Sequence, residues 1–170
     1  AIRTLSAMEK ENVELLIVGD GPEKENLQML TKELGVSDRV HFLGQVTETK
    51  KFQYLSNSDV YFLSSVHEGF GIVLQEAMQV DLPIVATDNG GQVDIIKDGE
   101  TGFLIKYGNV KKAVESIERL LGSKTVRKKM IENCNEMLKG FGLKEIARKY
   151  LEIVEGDRNL KRKIERNLEE

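Results

Sequence analysis

The sequence predicts an α/β fold: a Rossmann-like parallel sheet flanked by helices, followed by a helical C-terminal region. Three observations carry this. Short apolar runs at 13–18, 40–43, 59–63, 84–87 and 102–105 alternate with helical patterns, the arrangement of parallel strands joined by crossover helices. Glycine-bearing or polar loops at 19–22, 44–46, 64–71 and 87–91 follow the first four runs. From Asn109 onward the pattern is helical throughout, at about 109–121, 124–139, 143–155 and a terminal stretch to 169.

Composition agrees with a folded chain. With 170 residues, 40% hydrophobic and 31% charged, it is long enough for one domain with a real core. A net charge of −3 lacks the basic excess of a nucleic-acid binder. The single cysteine, Cys134, rules out an internal disulfide and a Cys-based metal site, and reads as a semi-buried thiol. No signal peptide and no apolar run of 18 residues is present. The expectation is a cytoplasmic protein, with peripheral membrane contact compatible with it.

Residues 1–12 read as the last turns of a helix, with Ile2, Leu5 and Met8 on one face. Val13 to Val18 is a near-continuous apolar run, the mark of a buried parallel strand. Pro22 can open the next helix, where its missing N–H is not needed. That helix, about 23–34, turns Leu27, Leu30 and Leu34 inward and stops at Gly35. A strand over Val40 to Leu43 ends at Gly44, and Thr47 caps a helix reaching about Asn57. Asp59 to Leu63 is the next strand, and Ile72 to Val80 the helix after it. Asp81-Leu82-Pro83 breaks the chain before the strand Ile84 to Thr87. A short helix to about Ile96, a turn at 97–100 and a last strand, Gly102 to Ile105, complete the α/β part. We expect a Rossmann-like domain over 1–155 and a polar helix or tail over 156–170.

Chemistry concentrates in Ser64 to Met78. A strand that stops at a glycine-bearing loop and turns into a helix aims unpaired N–H groups at its ligand, and the helix dipole favours an anion there. Glu68 and Glu76 bracket the turn with seven residues between them. Carboxylates accept hydrogen bonds from sugar hydroxyls. The loop therefore offers donors for phosphate and acceptors for hydroxyls, a combination suited to a nucleotide-sugar. Taken alone, the same residues also fit a plain turn at Gly69 and Gly71 and two solvated carboxylates near a helix start. The four loops all lie at strand ends, where parallel sheets bind ligands, and that convergence favours a site.

Glu68-Gly69-Phe70-Gly71 followed by Glu76-Ala77-Met78 resembles the E-x7-E signature of retaining glycosyltransferases of family 4 (glycosyl transferases group 1), which have GT-B architecture. The stretches 16–22, 40–44, 83–91 and 95–105 resemble further segments of that family's C-terminal, donor-binding domain. The resemblance covers about residues 1–155. It implies that Glu68 is catalytic and meets the donor sugar's hydroxyls. It implies that Phe70, Gly71 and Ile72 approach the sugar and phosphates, and that Glu76 holds the ribose. It places the turn from Gly44 to Val46 against the base and Gly19 to Gly21 at the border of the crevice. For Gly19, Gly21, Gly90 and Gly91 a pure turn role stays equally open. His67 and His41 read as structural, and Asp94 stands where the family often has Glu. The family is described as independent of a metal, and no cofactor beyond the nucleoside-diphosphate sugar is expected.

The family's donor domain opens with a strand ending in Gly-Arg, followed by Lys-Gly, whose two cations neutralise the diphosphate. Nothing in this sequence matches them. Since that strand is central in the family's order, a gap in the sheet is expected. A sugar, glycan or lipid acceptor would be bound by a missing N-terminal domain. The expected function is the donor-binding half of a retaining glycosyltransferase, inactive as this fragment alone. Two other readings share the motifs: a nucleotide-sugar epimerase of the same architecture, and a non-catalytic nucleotide-sugar-binding module.

Overall fold

The computed structural model describes residues 1–66, 69 and 71–140. The chain divides into two compact units, Ala1–Cys134 and Asn135–Glu170. The helices expected beyond 140, and the tail over 156–170, lie outside the described residues.

The described elements alternate as expected. Helix α1 (Ile2–Ser6) precedes strand β1 (Leu15–Val18), then come α2 (Lys24–Glu33), β2 (Val40–Gly44), α3 (Glu48–Ser56), β3 (Tyr61–Leu63) and α4 (Ile72–Gln79). Strand β4 (Ile84–Thr87), α5 (Gln92–Ile95), β5 (Phe103–Ile105), α6 (Val110–Gly122) and α7 (Lys124–Lys139) complete the order. Every strand pair is parallel. Local chemistry explains several boundaries. The Thr47 side chain accepts the Lys50 N–H and caps α3, and Asn109 caps α6 through Lys112 N–H. Gly35 takes a positive φ after α2. Two expectations shift: α1 ends at Ser6 and not near residue 12, and Pro22 precedes Glu23, the N-cap of α2, without opening the helix itself. Ile2, Leu5 and Met8 are nevertheless buried together.

The strands form two sheets, β1-β2 and β3-β4-β5, as a gap in the sheet would leave them. The unpaired edges of β1 and β3 both face a cleft of about 980 Å³. This alters the expected burial of β1. Leu16 is 38% exposed and Val18 43% exposed, alternate residues on one face of β1 that the described elements leave uncovered. The second sheet is packed. β4 is buried along its whole length between α4 and α6, with Leu74, Ala77, Met78 and Leu120 against it in one core.

Candidate functional site

Helix α4 follows β3 through the loop at 64–71, as the sequence suggests. Gly71 is its N-cap, in the left-handed region at φ 67°. A Cβ at Gly71 would lie 2.6 Å from Cδ1 of Ile95 and 3.3 Å from Cδ1 of Leu74, so packing as well as conformation demands glycine here. The Gly71 carbonyl accepts from Leu74 and Gln75, closing the first turn. The N–H groups of Ile72 and Val73 fall in that first turn, where no intrahelical acceptor precedes them.

Helical spacing divides α4 into two faces. Leu74, Ala77 and Met78 are buried, whereas Ile72 is 60% exposed and Val73 and Glu76 line the cleft. Ser64 and Ser65, just past β3, line it too. The structure therefore brings Glu76 to the wall of a large open cleft that runs along β1 and β3.

Lys51, on α3, crosses to Glu76. Its Nζ lies 2.7 Å from Glu76 Oε1 and 2.9 Å from Glu48 Oε1. The Phe52 ring centroid is 5.3 Å away. The hydrogen bond to Glu76, seconded by that to Glu48, holds the Lys51 ammonium above its ordinary pKa. Sequence spacing gives no hint of this pair, because 25 residues separate its members.

The other expected residues fall into three groups. Gly19 and Gly44 are brought together: Gly19 N–H donates to the Gly44 carbonyl at 2.8 Å, and both glycines have positive φ. Gly21 N–H donates to Asp20, which also pairs with Lys24, and these bonds lower the Asp20 carboxyl pKa. None of Gly19, Gly21, Gly44 and Val46 is in the wall of the cleft. Glu68, Phe70 and His67 lie outside the described residues. His41, on β2, meets Glu14 at 3.0 Å on the surface.

A second feature has no sequence signal. The Ser65 carbonyl accepts from Thr87 Oγ1 at the end of β4, and from Gln92 Nε2 at 3.3 Å. Gln92 Nε2 also reaches Thr87 Oγ1 at 3.1 Å, and the Gln92 side chain is wholly buried. These bonds fix the root of the central loop to the neighbouring strand. Buried polar groups of this kind hold geometry because leaving them unpaired is costly. Among the described residues, no helix is long and apolar enough to cross a membrane.

The sequence model described as Glycosyl transferases group 1 matches residues 1–137. The chain belongs to this family. Among the family's curated members, it is 34% identical over 143 residues to the lipopolysaccharide core biosynthesis glycosyltransferase LpsE of Rhizobium meliloti, covering 84% of this chain and 42% of that protein. It is 33% identical over 153 residues to the N-acetyl-alpha-D-glucosaminyl L-malate synthase of Bacillus anthracis, covering 87% of this chain and 40% of that one. The chain thus spans about two fifths of the length of these relatives. In structure it is similar to Anabaena Alr3699/HepE in complex with UDP, with a TM-score of 0.80 at 24% identity, covering 92% of this chain and 44% of that one. The fold is that of one lobe of a group 1 glycosyltransferase of GT-B architecture.

Proposed function

We propose that this chain is the donor-binding half of a retaining glycosyltransferase, taking a nucleoside-diphosphate sugar. The observation that carries the reading is the place of Glu76: on the cleft face of α4, one turn past the helix start at Gly71. A diphosphate set against that start meets the N–H groups of Ile72 and Val73 and the positive end of the helix dipole. At roughly 1.5 Å per residue, Glu76 lies about 7–8 Å beyond Gly71, within reach of the adjoining ribose. Glu68, before the helix, meets the sugar. Anabaena Alr3699/HepE is described in complex with UDP and with UDP-glucose, which supports a uridine nucleotide as the first to try.

Transfer breaks the bond between the sugar's anomeric carbon and the diphosphate oxygen, forms one from that carbon to the acceptor's hydroxyl oxygen, and passes the hydroxyl proton to the departing diphosphate. The leaving diphosphate gains charge in that step, and a preorganised helix start stabilises charge as it develops. The family resemblance assigns the turn at 44–46 to the base, although neither Gly19 nor Gly44 lines the cleft beside Glu76. The acceptor, a sugar, glycan or lipid, is held by residues outside this chain. No metal and no further cofactor enter the scheme.

The test is a pair of substitutions in the full-length protein carrying this chain. Glu76→Gln should weaken UDP binding by about 1–3 kcal/mol, the scale of a hydrogen bond to a charged group. Glu68→Ala should cut turnover strongly while UDP binding persists. Calorimetry and a transfer assay measure the two. Equal loss of UDP binding in both variants, with circular dichroism unchanged, would sink the division of labour.

A further inference from the structure

Lys51 lies outside the motif segments quoted above, yet among the described residues it makes the shortest ion pair at the cleft. Its helix, α3, follows β2 and the turn at 44–46, whereas Glu76 stands on α4, which follows β3. These strands belong to different sheets. The bond from Lys51 to Glu76 therefore ties the element after the base turn to the element that carries the ribose carboxylate. Glu48 anchors the ammonium on its outer side: the Glu48 side chain is 72% exposed and that of Glu76 only 17% exposed. Lys51 takes Oε1 of Glu76. Among the described residues, no hydrogen bond engages Oε2.

We propose that Lys51 is a positioning residue of the nucleotide site, holding the Glu76 carboxylate by Oε1 so that Oε2 accepts from the ribose hydroxyls. This rests on the ribose role of Glu76. A glutamate on a helix surface has several rotamers, and fixing one in advance removes that ordering cost from binding. Two carboxylates on one ammonium fix its position, and Phe52 backs it. A merely structural pair makes a different prediction. Partly exposed ion pairs add little to stability, so removal of Lys51 should barely move the melting temperature. It should instead change what the site distinguishes.

The readout is ribose discrimination in the full-length protein carrying this chain. Binding of UDP and GDP, and of the 2′,3′-dideoxy form of each, is measured by calorimetry. The unchanged protein should prefer the ribose form of its nucleotide by about tenfold or more. Glu76→Gln should lose most of that preference. Lys51→Met should lose it too, binding the ribose form about tenfold more weakly and the dideoxy form unchanged. Its melting temperature should move by no more than about 3 °C. Lys51→Arg, which keeps the charge and the reach, should keep most of the preference. If Lys51→Met keeps the preference while Glu76→Gln loses it, Lys51 is only a structural partner and the ribose role of Glu76 stands. If Glu76→Gln keeps the preference, or neither nucleotide binds the unchanged protein, the ribose role falls and this proposal with it.

Discussion

β1 and β4 are both four-residue strands of apolar character, Leu-Leu-Ile-Val and Ile-Val-Ala-Thr. In the folded chain they differ sharply. Every residue of β4 is buried, with a strand on either side and helices above and below. β1 has a strand on one side only, and two of its four residues are exposed to the cleft. An apolar run states what a strand can tolerate. Its neighbours decide what it experiences. The packed half supplies a rigid base for α4, and the open half leaves room beside it.

That contrast is most readily broken by deletion of apolar volume. Leu74→Ala, beneath β4, should destabilise the chain by about 2–5 kcal/mol, because a fully buried leucine leaves a cavity. Leu16→Ala in β1 should cost about 1 kcal/mol or less, since much of its surface is already wet. Urea unfolding of both variants measures the two. Comparable losses would mean that β1 is covered in solution.

A smaller effect sharpens the comparison at the junction of α4 with its support. Gly71→Ala should cost about 1–3 kcal/mol, from the left-handed backbone and from contact with Ile95. Adding Ile95→Val, which removes the crowded Cδ1, should recover the steric part and leave the backbone part. Thermal unfolding of the single and double variants separates the two terms. A double variant no more stable than Gly71→Ala would show that the contact carries no strain.

The smallest expected effect reports how dry the packed half is. Cys134 of α7 is buried, and its thiol donates to the Thr101 carbonyl at 3.1 Å. Burial, with a lesser contribution from Asp81, pushes its pKa up to about 11 from the ordinary 9.0. Below pH 9 the thiol is neutral in both folded and unfolded chains, so its contribution is fully present. Between pH 9 and 11 the unfolded chain ionises first, and that contribution is lost as pH rises. The chain should therefore lose on the order of 1–2 kcal/mol more over this window than Cys134→Ala does. Identical pH dependence in the two, followed by denaturant unfolding, would mean that water reaches the thiol.

Much of this was legible in the sequence, because local signals dominate there. β4 matches its apolar run residue for residue, Thr47 announces the start of α3, and the turn residues at 19–22 and 44–46 mark strand ends. Helix α4 begins one residue after Gly71, as its pattern implies. What the sequence hides is long-range. The cross-helix bond from Lys51 to Glu76 and the bonds from Thr87 and Gln92 to the Ser65 carbonyl join residues 22 to 27 positions apart, and no periodicity encodes such meetings. The exposure of Leu16 and Val18 was hidden for the same reason: burial is set by what stands beside a strand, and a one-dimensional pattern reports only the strand.

The hydrogen bond from Gly19 to Gly44 has a consequence for how the crevice moves. Each glycine sits at the end of its own strand, in a loop that would otherwise fray by itself. Joined by that amide, the two loops should open together and not separately, which hydrogen exchange at the Gly19 amide would read. A displacement of the turn at 44–46 therefore pulls on 19–22 through a backbone contact, with no side chain as intermediary.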